Sequence, residues 1–369
     1  MQMINVQLKK VMDTSYGITV GEGLLARLPE ILKKEHPASM YVIIADTKTE
    51  KLFGKKLSGE MERVGCKTLL LSVPAGEGSK SQKQKSRLEE MMLKAGVDRK
   101  AVVLALGGGV VGDLAGFIAS TYMRGIPYIQ LPTTLLSMVD SSVGGKTGIN
   151  TLQGKNLIGA FHQPSAVYAD VDTLTSLSVA EIQSGLTEAM KMFMTSDKES
   201  FAFAEKNLEK ALEKDTSVLA GIISRAVRIK ASVVERDERE SGERMVLNFG
   251  HTIGHALEKL SKYRLLHGQA VALGIAVETQ IARNLGRLSA EGLASVQAVL
   301  QRLQAPVSVL KRFTSADIIS ATKGDKKSLA GHAQFVILKQ IGEVAVRDGQ
   351  FVEAVEDGEV MKAIRDVIV

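Results

Sequence analysis

Short apolar runs and polar breaks alternate along the first half of the chain. Continuous apolar runs at 40–45, 67–73, 101–106 and 128–131 are bounded by glycine, proline or aspartate, and each reads as a strand buried on both faces. Residues 16–20, and 4–9 before them, alternate in the manner of short strands. Helical periodicity fills 21–34, which stops at Pro37, then a stretch through 56, and 82–95. Strands interleaved with helices predict a parallel sheet covered by helices on both faces.

Beyond about residue 177 the pattern changes. Residues 179–194, 208–235, 252–262, 268–285 and 290–303 repeat apolar positions at helical spacing. Strand-like runs return at 334–338 and 343–347, set to pair around Ile341 and Gly342, and 351–368 reads as a last helix. The expected organisation is an α/β domain at 1–177 followed by a mainly helical domain at 178–369.

Composition bounds this picture without changing it. With 369 residues, 45% hydrophobic and 24% charged, the chain is long enough for two domains with ordinary globular cores. Tryptophan is absent and aromatics are 4%, so those cores are aliphatic. No apolar run is long enough to span a bilayer, and residues 1–10 alternate instead of forming a signal-peptide core. The single cysteine, Cys66, excludes a disulfide framework and a thiolate metal cluster and reads as structural. These features predict a cytoplasmic protein with no membrane partner. The net charge of +6 admits nucleic acid, but the lysines are scattered among acids, as at 205–215, and no dense basic run occurs. A small anionic substrate accounts for a few converging cations equally well.

Three segments carry candidate chemistry. Gly107, Gly109 and Gly112 match G-x-G-x-x-G between a strand and a helix, which suits a tight turn, close approach to a pyrophosphate and a helix N-terminus facing an anion. The unit is not the first βα unit, and no acid follows about 20 residues later, as the fingerprint requires. Asp46, at the end of an earlier strand, is placed to hold ribose hydroxyls and would repel a 2′-phosphate, which favours NAD and a Rossmann-like domain. Residues 140–150 carry Gly145-Lys146-Thr147, but Gly148 follows at once, so this is no Walker A loop; with Gly154-Lys155-Asn156 it reads as a flexible anion-binding hinge or as solvated lysines. Finally, His251 and His255 share a helix face, and His267 follows a break at 261–265. The spacing alone admits both a zinc site and ordinary polar histidines. Glu188 and Lys191, three apart on another helix, are either a surface ion pair or the missing carboxylate ligand and a substrate contact.

Taken together, the segments at 74–80, 107–113, 130–150, 154–161 and 247–256 resemble the 3-dehydroquinate synthase family of sugar phosphate cyclases, in order and over nearly the whole chain. The resemblance implies the family's fold, an α/β NAD-binding domain with a mainly α-helical C-terminal domain. It implies a divalent metal, Zn2+ or Co2+, on Glu188, His251 and His267, in place of the His251 and His255 pairing that spacing suggests. It assigns Asp46, Glu77, Lys80, Gly108, Gly109, Val110, Val111, Gly112, Asp113, Thr133, Thr134, Lys146 and Lys155 to the cofactor. It assigns Asp140, Lys146, Asn156, Lys191, Lys230, Arg244 and Asn248 to the substrate, with His255 near the phosphate. Arg124 resembles a phosphate contact supplied across a homodimer interface, and Lys326, or Lys327 in its place, closes the set. There are two departures from the family pattern: Gln269 stands where glutamate is common after His-Gly, and Thr187-Glu188-Ala189-Met190-Lys191 stands where Ala-Glu-Val-Ile-Lys is frequent.

The implied substrate is 3-deoxy-D-arabino-heptulosonate 7-phosphate. The implied chemistry is transient oxidation at C5 by NAD, β-elimination of phosphate, re-reduction, ring opening and an intramolecular aldol. Arg244, Lys230 and Asn248 favour this carboxylate substrate over those of other sugar phosphate cyclases. A polyol dehydrogenase of similar architecture would accumulate NADH, and a non-catalytic binding protein would survive loss of Glu188 or His267.

Overall fold

The computed structural model describes residues 13–240, 242–323 and 333–368. The strand expected at 4–9 and Lys326 lie outside the described residues. The first part of the chain runs β1 (Gly17–Gly21), α1 (Leu24–Glu35), β2 (Tyr41–Asp46), α2 (Thr47–Thr49), α3 (Lys55–Arg63), β3 (Thr68–Val73), α4 (Gln82–Lys94), β4 (Val102–Gly107), α5 (Gly109–Thr121), β5 (Tyr128–Pro132), β6 (Lys146–Thr151), β7 (Gly154–Phe161) and β8 (Ala166–Asp170). Six of these strands form one parallel sheet in the order β1-β8-β5-β4-β2-β3.

Period-2 geometry explains the unbroken apolar runs. Tyr41 and Ile43 of β2 enter the core on one face of the sheet, and Val42 and Ile44 enter the core on the other. The helical stretch after Asp46 continues to Arg63 through a π-helical turn at Glu50–Gly54.

The hinge read at 140–150 and 154–156 is a correction from Lys146 onward. It is not a loop but an antiparallel hairpin, with Lys146 opposite Phe161 and Ile149 opposite Ile158. Gly148 and Gly159 lie so close that a Cβ on Gly159 would sit 2.0 Å from the Thr147 carbonyl oxygen. Asp140 lies just before the hairpin in a π-helical turn, Ser137–Ser141, an irregularity often found at functional positions.

The remainder is built of α6 (Val179–Ser196), α7 (Lys198–Lys206), α8 (Leu208–Leu212), α9 (Thr216–Arg236), α10 (His251–Leu260), α11 (His267–Asn284), α12 (Ala290–Arg302), α13 (Ser315–Lys323) and α14 (Asp357–Ile368). The helix expected at 208–235 is broken, because Lys214 adopts φ 66° and Asp215 then caps α9 by accepting from the Val218 N–H. α6 starts with a capping box between Ser178 and Glu181 and is buried over most of its later length. Near the end, β10 (Leu338–Gln340) and β11 (Glu343–Val344) form the expected turn, while β9 (Gln334–Phe335) pairs instead with β12 (Glu353–Ala354). The helix expected from 351 therefore starts only at Asp357. One continuous core joins these helices to Leu135, Met138, Val139, Ala169 and Val171 of the sheet half.

Candidate metal and dinucleotide site

Glu188 and Lys191 sit one turn apart in the buried part of α6, with 0% and 1% exposure. Lys191 Nζ lies 2.5 Å from Glu188 Oε2. The other carboxylate oxygen, Oε1, is buried and has no hydrogen-bond partner. It faces His267 Nε2 at 3.5 Å and His251 Nε2 at 3.7 Å. The three ligand atoms lie within 4.8 Å of one another. A buried carboxylate oxygen is costly without a partner, and two imidazole nitrogens converge on this one. A carboxylate with two imidazoles is a donor set that suits zinc and leaves a coordination position open.

The helices present these side chains for identifiable reasons. His251 and His267 are the first residues of α10 and α11. Gly250 adopts φ 78° to turn the chain into α10, and a Cβ on Gly274 of α11 would lie 1.8 Å from the Gly250 carbonyl oxygen. The two helices therefore meet backbone to backbone next to the ligands. His251 Nδ1 lies 3.2 Å from the Phe249 carbonyl oxygen, an arrangement that puts the proton on Nδ1 and leaves Nε2 to the cluster. Gln269 acts in the helix start, its Oε1 accepting from the Leu266 N–H at 3.1 Å.

The charges are strongly interdependent. Burial would raise the Glu188 carboxyl, but Lys191 and His267 outweigh it and hold it at about 2. Burial would lower His267, yet Glu188 and Glu258 push it up to about 10. Burial, with Lys191 beside it, drives His251 well below its ordinary value. His255, which spacing paired with His251, has its ring centroid 5.2 Å from His251 and 6.2 Å from His267, beside the trio.

A second cluster of cations adjoins the first. Lys230, buried on α9, lies 2.6 Å from Asp140 Oδ1 and also donates to the Asp140 carbonyl. Burial would raise Asp140, but Lys230 and Lys191 keep it low. Arg244 is 2% exposed and donates to the carbonyls of Glu238 and Gly144. Lys146 pairs with Glu240, which also accepts from Asn248 Nδ2 at 2.9 Å.

The dinucleotide segment lies at the C-terminal ends of β4 and β5. Extended Gly108 precedes α5, whose first turn carries Gly109, Val110, Val111 and Gly112. A Cβ on Gly112 would meet Gln130 of β5 at 2.8 Å, so the third glycine allows close helix–strand packing. Lys80 pairs with Asp113 and donates to Asn156, and Asn150 donates to Glu77 at 2.6 Å. The hairpin is thereby tied to the loop after β3. Thr133 is buried, while Thr134 shares a hydrogen bond with Ser137. The Asp46 carboxylate caps the helix that follows it, accepting from the Lys48 and Thr49 amides. Arg124 stands apart, exposed on a turn where Met123 and Arg124 adopt φ 49° and 72°.

Two carboxylates escaped the sequence reading. Glu240 bridges Lys146 and Asn248, with φ 59° in a loop that no periodicity marks. Glu258 lies seven residues after His251, on the same stripe of α10, and its Oε2 is 3.5 Å from His267 Nδ1. That i, i+7 spacing was the available signal.

The six-stranded parallel sheet, the helical second half and the Glu-His-His trio define a sugar phosphate cyclase fold. The structure superposes on 2-epi-5-epi-valiolone synthase from Streptomyces hygroscopicus subsp. jinggangensis, solved with NAD+ and Zn2+ bound, with TM-score 0.88 and 28% identity over 98% of this chain and 99% of that one. It also superposes on a 2-deoxy-scyllo-inosose synthase complexed with carbaglucose-6-phosphate, NAD+ and Co2+, with TM-score 0.87 and 24% identity over 95% and 96% of the two chains, a likeness of fold. Residues 70–184 match the 3-dehydroquinate synthase N-terminal family and residues 185–328 the corresponding C-terminal family. The chain is 42% identical to the 3-dehydroquinate synthase of Symbiobacterium thermophilum over 96% of its length and 99% of that protein, and 41% identical to that of Desulforamulus reducens over 90% and 93%. The chain belongs to the 3-dehydroquinate synthase family.

Proposed function

We propose that this chain converts 3-deoxy-D-arabino-heptulosonate 7-phosphate to 3-dehydroquinate and phosphate, using NAD and a divalent metal. The observation that carries this is the buried, partnerless Glu188 Oε1 facing two imidazole nitrogens beside Lys191, in a chain of this family. Glu188, His251 and His267 would hold Zn2+ or Co2+. The α5 N-terminus from Gly108 to Asp113, with Asp46, Glu77, Lys80, Thr133, Thr134 and Lys155, would hold the dinucleotide.

A metal held by Glu188, His251 and His267 would supply Lewis-acid polarisation of the C5 oxygen, and a dinucleotide at the α5 N-terminus would supply reversible hydride transfer at C5, leaving no net oxidation. Lys191, Lys230, Arg244, Lys146 and Asn248 supply donors for a substrate with two anionic groups, and charge-assisted bonds of this kind are strong. Lys230 and Arg244 are nearly enclosed, so they orient the carboxylate end with little rearrangement. Asp140 and Asn156 contribute acceptors for hydroxyls, and His255 serves the phosphate end. The leaving phosphate can itself take the C6 proton, so no dedicated protein base is required.

The reading includes a cytoplasmic homodimer. Arg124 is exposed on its left-handed turn, and β7 leaves Leu157 and Phe161, which share a face, 39% and 49% exposed, an apolar face suited to a second copy. No helix among the described residues is long and apolar enough to cross a membrane.

The test is phosphate release from the heptulosonate phosphate by purified protein, before and after chelation, with NADH absorbance followed in parallel. Metal-dependent release without accumulating NADH supports the reading. Stoichiometric NADH would make the chain a dehydrogenase. No turnover with NAD and metal restored would move the search to heptulose phosphates lacking the carboxylate.

A further inference from the structure

The side chain of Glu258 has two occupied ends, and neither belongs to its own helix. Oε2 lies 3.5 Å from His267 Nδ1, the nitrogen on the far side of the ring from Glu188. Oε1 lies 3.1 Å from Lys155 Nζ on β7. Glu258 is buried, so both contacts act in a medium that screens weakly. The corner between α10 and α11 completes the grip on Lys155. Lys262 and Tyr263 both adopt left-handed backbone, with φ 53° and 58°, which folds Tyr263 back over the end of α10. The Tyr263 N–H donates to the Glu258 carbonyl at 2.7 Å, and its ring lies 4.3 Å from Lys155 Nζ, within cation–π range.

Lys155 is not an isolated lysine. Its neighbour Asn156 accepts from Lys80, which pairs with Asp113 on the dinucleotide helix α5. Polar contacts and one peptide linkage therefore run from His267 through Glu258, Lys155, Asn156 and Lys80 to Asp113.

We propose that Glu258 is a positioning residue that orients His267 toward the metal and, through its bond to Lys155, couples occupation of the metal site to binding of the dinucleotide. The proposal rests on the site reading given above. The first half follows from ligand chemistry. A histidine that offers Nε2 to a metal must carry its proton on Nδ1, and a carboxylate facing Nδ1 fixes that tautomer and the ring angle. The second half follows from linkage. If metal draws His267 and Glu258 into register, Lys155 and the hairpin are held, and the dinucleotide in turn tightens the metal by the same factor.

The experiment measures Zn2+ affinity by competition with a chromophoric chelator, on the full chain, with and without NAD, for wild type, Glu258→Ala and Glu258→Gln. Glu258→Ala should weaken Zn2+ binding about 10–100-fold. In Glu258→Gln the amide oxygen still accepts from Nδ1, while its NH2 faces Lys155. This variant should recover much of the Zn2+ affinity yet lose the tightening that NAD gives wild type, expected at about 5–150-fold. If Glu258→Ala does not fold, as circular dichroism would report, Glu258→Gln carries the test. Wild-type affinity in Glu258→Ala would overturn the positioning role. Full NAD dependence in Glu258→Gln, or none in wild type, would overturn the coupling. A wild-type protein that takes up no Zn2+ would overturn the site reading and this proposal with it.

Discussion

The helical side of the site and the sheet side differ in how far they are built before any ligand arrives. On the helical side, Glu188, Lys191, Lys230 and Arg244 are between 0% and 5% exposed, and each charge already has a partner or a carbonyl. On the sheet side, the Lys146 and Lys155 side chains are 46% and 32% exposed, on a two-stranded hairpin. The helical side is a fixed electrostatic frame, because buried charges in fixed helices cannot reorganise cheaply. The sheet side presents more exposed cations, Lys146 paired with Glu240 and Lys155 with Glu258. On the reading proposed above, loss of the buried end should abolish the chemistry, whereas loss of a hairpin cation should weaken ligand binding.

This contrast can be broken most severely at Glu188. Glu188→Ala should abolish metal uptake and lower kcat/KM by about 10²–10⁴-fold, the equivalent of several kcal/mol of lost transition-state stabilisation. Metal content and phosphate release would check this, and near-normal turnover would dissolve the distinction. Lys191→Met leaves a buried carboxylate without its main cation. In metal-free protein it should cost about 3–5 kcal/mol of stability, read as a lower urea midpoint. Added metal should restore part of the loss, which a purely structural lysine would not allow.

A milder effect belongs to Glu278, fully buried under the start of α10, with Oε2 accepting from the Gly250 N–H at 2.8 Å. Burial raises its carboxyl to about 8, against an ordinary value of 4.5. The folded protein therefore holds an extra proton between those values, and stability falls as pH rises through that window. Glu278→Gln should gain stability relative to wild type progressively from about pH 5 to pH 8, seen in paired thermal melts. Equal slopes for both proteins would remove Glu278 from the frame. The smallest effect is expected at Lys146→Ala, where exposure limits the cost to within about 0.5 kcal/mol of stability. KM for the substrate should rise while the unfolding midpoint stays in place, and a large drop in midpoint would erase the contrast between the two sides.

The same contrast governs what could be read from the sequence. The strands at 40–45 and 101–106 were legible because burial on both faces leaves an unbroken apolar run. The hairpin at 146–161 was not, because polar and glycine residues dominate it and β7 is largely exposed. β8 also went unread, although all five of its residues are buried. The frame is scattered along the chain: Glu188 meets His251 and His267 only because α6 crosses the starts of α10 and α11. No local spacing encodes that meeting, which is why the neighbouring His251 and His255 suggested a different pair. Glu240 had no signal, and Glu258 had only its place on the histidine stripe.

The contact between Gly250 and Gly274 works as a calliper. His251 and His267 begin the two helices it brings together, so the jaw opening between their nitrogens is set by one backbone touching another. A single methyl at 274 would force the jaws apart, whereas metal–ligand distances tolerate only about 0.2 Å. The spacing of the two imidazoles thus rests in part on a pair of residues that have no side chains and lie outside the trio.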